Sequence, residues 1–111
     1  MTPLERFAYR GGDALNIQAQ ANRTLIKFCR DHDYPFAPTL HELEVCLAAL
    51  EAGELKNARA AFRRIPMGKE GFGDWWPPAT FPGETDEYVI NVFHALVERW
   101  HRLMSLRAGT V

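Results

Sequence analysis

Apolar residues recur at helical spacing in four stretches of the chain, and no stretch alternates between apolar and polar residues for long enough to predict a strand. The first pattern predicts a helix over residues 13–30. Its apolar positions include Leu15, Leu25, Ile26, Phe28 and Cys29. Residues 34–38 end it, because each of their two prolines lacks a backbone donor and disfavours helix in the residue before it. A capping box at residues 2–5 predicts an earlier helical start. The glycine pair at 11–12 leaves open whether one helix or two precede residue 30.

Two shorter helices are expected in the middle of the chain. Thr39 and Glu42 have the spacing of a capping box, which predicts the start of a second helix. Its apolar stripe consists of Leu40, Leu43, Cys46, Leu47 and Leu50. Gly53 is typical of a helix C-terminus or a tight turn. A third helix carries Leu55, Ala58, Phe62 and Ile65 on its apolar side. Pro66 stops it.

The clearest pattern is the last one, which predicts a helix over residues 86–107. Thr85 can cap it, and Asp86 and Glu87 fall in the first turn, where the helix dipole favours acids. One apolar arc contains Val89, Val92, Phe93, Leu96, Trp100, Leu103 and Met104. We expect Leu96 and Trp100 to be among the side chains that face the core. Together the patterns predict an all-α fold, a compact bundle of four or five helices that forms a single domain over residues 1–111.

Residues 66–84 form the one long stretch without periodicity. They hold four of the eight glycines and four of the seven prolines, together with Phe72, Trp75, Trp76 and Phe81. A loop of this length in a small domain is usually functional or disordered, and its aromatic content argues against disorder. One interpretation is a lid whose aromatic side chains cover an open end of the bundle. The other is that a tryptophan beside Asp74 stays exposed as a binding hot spot, since adjacent side chains usually diverge.

Length and composition narrow the class of protein. A chain of 111 residues with 47% hydrophobic residues is expected to be one folded domain. The net charge of −1 weakens the case for a general nucleic-acid binder. Apolar runs of only a few residues predict no membrane span, and the N-terminus lacks a signal-peptide pattern. Two cysteines cannot form a disulfide framework. We therefore expect a cytoplasmic protein without a nucleic-acid or membrane partner.

Charge is segregated along the chain. Residues 31–54 and 70–98 each contain six acids and no lysine or arginine. Within the fold these acids can lie beside basic helix faces or simply be solvated. Alternatively, they form a docking surface that speeds capture of a basic partner. The candidate partner-binding residues are Glu42, Glu44 and Glu51 in the first block, and Asp74, Glu84 and Glu87 in the second, together with Trp75 and Trp76.

Motifs for catalysis or metal binding are weak. Glu98 and His101 have the E-x-x-H spacing of a di-iron ligand pair, but such a site needs a second motif and further carboxylates. His94 and His101 are expected at the edge of the last helix. Cys29 and Cys46 fall on apolar helix faces, where thiols are usually unreactive. No glycine-rich phosphate loop is present in the sequence. We expect no enzyme activity, no metal, no cofactor and no catalytic residue.

The glycine-rich segment MGKEGFGDWWPP at residues 67–78 precedes an acidic stretch and then the helix EYVINVFHALVERWHRLM at residues 87–104. This combination resembles small bacterial immunity proteins of polymorphic toxin systems, and the stretch LEAGELKNARAAFRRIP at residues 50–66 is also similar. The resemblance covers residues 40–104. It implies a non-enzymatic protein that binds and blocks one cognate toxin, which an adjacent gene encodes and a type VI or related secretion system delivers. It assigns a structural or binding role to residues 71–78. The other class that fits is a helical adaptor or regulatory module.

Overall fold

The computed structural model describes residues 12–67 and 71–105. The described part of the chain contains no strand and forms four α-helices. These are α1 (Gly12–Asp31), α2 (Ala37–Glu51), α3 (Leu55–Arg64) and α4 (Asp86–Met104). A single 3-10 turn, Phe72–Asp74, interrupts the long loop between α3 and α4. The predicted all-α bundle, with its aromatic loop before the last helix, is confirmed.

Neighbouring helices run antiparallel. A short turn at residues 32–36 joins α1 to α2. Glu42 near the start of α2 pairs with Arg64 at the end of α3. Gln18 near the start of α1 donates a hydrogen bond of 2.9 Å to the carbonyl of Leu103 near the end of α4. The ends of α1 and α3 therefore lie at the same end of the bundle as the starts of α2 and α4. We call this the loop end, because the long loop leaves α3 and enters α4 there.

Helix boundaries agree with the sequence patterns except at two ends. The capping box predicted for α2 is wrong: the helix begins at Ala37, after Phe36, and no side-chain hydrogen bond caps it. Pro38 favours this earlier start, because a proline in the first turn needs no amide partner. Helix α4 ends at Met104, short of the predicted residue 107, which lies outside the described residues. The predicted cap at residues 2–5 also lies outside them.

Two helices end in the same hydrogen-bonded turn. After α2, Gly53 adopts a φ of 76°, and the amide of Glu54 donates to the carbonyl of Ala49. After α1, Asp33 adopts a φ of 56°, and the amide of Tyr34 donates to the carbonyl of Cys29. Both are Schellman motifs, which satisfy free carbonyls and reverse the chain. The glycine turn was predicted from sequence, whereas an aspartate in the left-handed region gives a weaker signal.

The core combines a continuous apolar cluster with a few buried polar side chains. Its largest fully buried members include Trp100, Phe72, Phe93, Leu25 and Leu43. Asn22 is completely buried, and it accepts a hydrogen bond of 2.7 Å from the indole of Trp100.

None of the helices in the described ranges has the length and hydrophobicity that a bilayer crossing requires.

Candidate functional site

The loop closes one end of the core with part of its aromatic content. Phe72 and Pro77 are buried, and Trp75 is half-buried. The Trp75 ring meets Tyr34 edge-on at 4.9 Å and Phe93 at 5.0 Å between ring centroids. Edge-to-face packing at these distances stabilises aromatic pairs beyond simple burial. For this half of the loop, the lid interpretation describes the structure.

Trp76, in contrast to these anchored residues, is exposed to solvent. Its side chain is 73% exposed, although Trp75 beside it contributes to the core. Phe36 is 59% exposed and Phe81 is 48% exposed. Phe36 contacts Tyr34 of the same ring cluster that holds Trp75, and Phe81 contacts His32 at 5.4 Å. We call Phe36, Trp76 and Phe81 the aromatic surface, since all three are exposed rings and each contacts, or directly follows in sequence, a residue of the ring cluster.

Two carboxylates fix the shape of the loop beside the aromatic surface. Glu84 accepts hydrogen bonds from the amides of Phe81, at 2.7 Å, and Thr80, at 2.9 Å. Asp86 accepts one of 2.9 Å from the amide of Ala79. The pKa of Glu84 is lowered from 4.5 to about 2. The hydrogen bond from Phe81 contributes most to this shift, followed by those from Thr80 and His32, whereas partial burial raises the pKa. The charged form of Glu84 is therefore part of the folded loop.

The three candidate glutamates of the first acidic block lie beside bases from neighbouring helices. Glu42 pairs with Arg64 at 2.9 Å, and Glu51 pairs with Arg23 at 3.3 Å. Glu44 pairs with Arg30 of α1. Exposed pairs of this kind contribute little to stability, about 0–1 kcal/mol each. Their consequence is electrostatic: the arginines offset the negative charge of α2, as the intramolecular interpretation of the charge blocks expects.

The candidates of the second block divide into two kinds. Glu84 is largely enclosed and bonded to the loop, so it shapes the surface from beneath. Asp74, in the 3-10 turn, and Glu87, in the first turn of α4, are exposed. With Trp76, they are the candidate residues of this segment whose side chains are exposed. Trp75 precedes Trp76 in sequence but packs against the core.

The groups that could carry chemistry are dispersed. Burial raises the pKa of Cys29 and of Cys46 to about 12, which keeps both thiols protonated and poorly nucleophilic at neutral pH. His94, Glu98 and His101 border a shallow groove of about 450 Å³ beside α4. Within the described ranges, no group of three or more histidine, cysteine, aspartate or glutamate side chains could hold a metal ion.

Sequence reasoning missed two contributors to the site. His32 is 5% exposed and hydrogen bonds to Glu84, yet it follows the last turn of α1 with no motif around it. Phe36 belongs to the proline-rich turn that was interpreted only as a helix stop. The sole signal was composition, since aromatic residues are unusual in an exposed turn.

No family model, curated protein sequence or solved structure was found to match this chain.

Proposed function

We propose that this chain is a binding protein that neutralises a cognate protein toxin by occluding it, and that it docks through the loop end. The observation that carries the proposal is the exposed ring of Trp76, held on a loop whose neighbouring side chains are anchored in the core. Tryptophan is the residue type most enriched among binding hot spots. A loop that is already ordered loses less conformational entropy on binding.

The charge of the segment that carries this tryptophan favours a basic partner. Asp74 and Glu87 are exposed, and they belong to residues 70–98, which contain six acids and no lysine or arginine. A partner with a basic cleft would be attracted over a distance of about one Debye length, roughly 8 Å at physiological ionic strength. Toxins that act on nucleic acids or nucleotides commonly present such clefts. The proposal therefore assigns docking to the second acidic block and a scaffold role to the first.

The resemblance to immunity proteins supports the toxin as the partner. It places residues 71–78 in a structural or binding role, and in this chain the segment contains both kinds of residue. Phe72 and Pro77 anchor the loop, whereas Trp76 faces outward. The same surface would also serve an adaptor, so the experiment must measure neutralisation as well as binding.

The test uses the protein encoded by the gene next to this one. That protein is produced in bacteria with and without the present chain, and cell survival is recorded. Purified proteins then give a dissociation constant and association rates at low and physiological salt. We expect the wild-type chain to restore growth. Trp76→Ala should weaken binding about 30-fold or more, the loss expected for a hot spot of about 2 kcal/mol.

A pair of charge reversals distinguishes the two acidic blocks. Asp74→Lys with Glu87→Lys should slow association about tenfold or more at low salt, with little change in the dissociation rate. The matched variant, Glu44→Lys with Glu51→Lys, reverses two charges on α2 and should leave association much closer to wild type. Circular dichroism and melting temperature check that each variant stays folded.

Two results would contradict the proposal. If the adjacent protein binds at the loop end but is harmless to cells, the chain is an adaptor and the toxin assignment is wrong. If the toxin is neutralised equally well by Trp76→Ala and by both charge-reversal variants, docking uses another face.

A further inference from the structure

His32 occupies an unusual place for a titratable side chain. It directly follows α1, is 5% exposed, and stacks on the Phe28 ring at a centroid distance of 4.2 Å. Its Nδ1 lies 3.0 Å from the carbonyl oxygen of Phe28. Its Nε2 lies 3.0 Å and 3.3 Å from the two carboxylate oxygens of Glu84. Both ring nitrogens thus face atoms that can only accept hydrogen bonds.

Only one protonation state of the ring satisfies both contacts. A neutral imidazole has one N–H and one lone pair, so either the carbonyl or the carboxylate would face a lone pair. The imidazolium has two N–H groups and donates to both acceptors. The position after the last turn of α1 also favours a cation, because the helix dipole is negative there, and the stacked Phe28 ring attracts positive charge.

We infer that His32 and Glu84 form a proton-dependent latch that holds residues 79–85, and with them Phe81 of the aromatic surface, in their binding shape. Glu84 joins the latch to the loop, since the same carboxylate accepts the amides of Thr80 and Phe81. That the latch controls docking rests on the proposed function. The existence of the latch does not.

Other charged groups adjoin the latch in sequence. Asp31, the last residue of α1, and Asp33, in the turn after it, flank His32, and Asp31 pairs with Lys27 at 2.8 Å. From the start of α4, Asp86 is bonded to the amide of Ala79. Among the described residues, Glu84 is the charged side chain hydrogen-bonded to it.

The direction of the pH effect follows from the two hydrogen bonds. While the ring is protonated, it donates to Phe28 and Glu84 and the latch is closed. As pH rises and the ring loses a proton, Glu84 loses its ion pair with the ring and one of the two acceptors faces a lone pair, so the segment loosens. Acid does not open the latch until Glu84 takes up a proton, and the pKa of that carboxyl is about 2. Rising pH is therefore the signal that weakens it.

The experiment measures amide hydrogen exchange of the free chain by NMR. Protection factors, corrected for the intrinsic pH dependence of exchange, are recorded for the Thr80 and Phe81 amides between about pH 5.5 and about pH 9. In the wild-type protein they should fall about tenfold as pH rises. The variant His32→Gln, which cannot carry a charge, should show no such fall. The control His41→Gln replaces an exposed histidine of α2 and should behave as wild type.

A second measurement keeps the inference testable if the His32 variant does not fold. The nitrogen chemical shifts of the wild-type ring report whether both nitrogens carry protons, and their transition should coincide with the loss of protection. A ring that is neutral while the amides are fully protected would overturn the latch, as would protection factors that do not change with pH. No partner protein is needed, so failure here is distinct from failure of the proposed function.

Discussion

A single buried amide ties three helices together. Asn22 on α1 accepts the indole proton of Trp100 on α4 and donates a hydrogen bond of 2.8 Å to the carbonyl of Leu43 on α2. Both contacts are inside the core, where an unpaired polar group is expensive. Because the two bonds have fixed directions, they also set how far α2 and α4 slide along α1. Apolar contacts alone specify such a register less sharply.

Removing this amide should destabilise the fold strongly. Asn22→Ala leaves the Trp100 indole and the Leu43 carbonyl without partners, so we expect a loss of about 2–4 kcal/mol in the free energy of unfolding. Urea denaturation followed by circular dichroism measures it. Asn16→Ala is the control, since Asn16 is exposed on the same helix and its loss should change stability by about 0.5 kcal/mol or less. Equal losses in the two variants would contradict a special role for the amide.

At the scale of an element, α4 has a narrower buried face than its sequence arc predicts. The buried side chains are Val89, Phe93, Val97, Trp100, Leu103 and Met104. Leu96 was expected to face the core and is only half-buried, whereas Val97 was not expected and is buried. Residues 89, 93, 97, 100 and 104 follow the three- and four-residue steps of one helix side, and Leu96 lies at its edge. Thr85 caps the helix as predicted, by accepting a hydrogen bond of 3.1 Å from the amide of Tyr88.

Truncations along α4 should reveal this narrower face. Phe93→Ala removes a fully buried ring and should cost about 3–5 kcal/mol. Leu96→Ala removes a half-buried side chain that packs against the edge of the core, and should cost about 1–2 kcal/mol. Chemical denaturation of both variants under the same conditions gives the comparison. A larger loss for Leu96 than for Phe93 would show that the packing centre of α4 lies elsewhere.

At the scale of the whole molecule, the loop is a structural layer of the bundle. Phe72 meets Phe93 and Trp100 edge-on, at centroid distances of 5.3 Å and 6.0 Å. The amide of Phe72 is also bonded to the carbonyl of Pro66 at 2.7 Å. Without this layer, the loop end of a small core would expose large rings to water. A domain of this size buries a comparatively small apolar area on folding, so the area buried by the loop matters for its stability.

The loop should therefore unfold together with the helices. During thermal or urea denaturation, helix loss is followed by far-ultraviolet circular dichroism, and aromatic packing by near-ultraviolet circular dichroism. The two transitions should coincide, as in a two-state domain. Phe72→Ala should lower both midpoints together. An aromatic signal that disappears well before the helices would show that the loop is a separate, weaker unit.

The amino-acid sequence by itself determined the helices and most of their ends. Helical periodicity, the Thr85 cap, the Gly53 turn and the helix-stopping prolines all act within a few residues, so they can be recognised without knowing the fold. The all-α class follows from them. The α2 start was misjudged because two local signals competed, and the first turn accommodated Pro38 in place of the Thr39 cap.

Tertiary structure decided everything that depends on residues far apart in the chain. His32 and Glu84 are separated by 52 positions, and Asn22 and Trp100 by 78. Whether an acid is offset by a base depends on which helix faces it, and no charge count along the chain contains that information. The same holds for the adjacent tryptophans. Trp75 packs against rings that α1, α4 and the turn before α2 bring together, whereas the next residue, Trp76, is exposed to water.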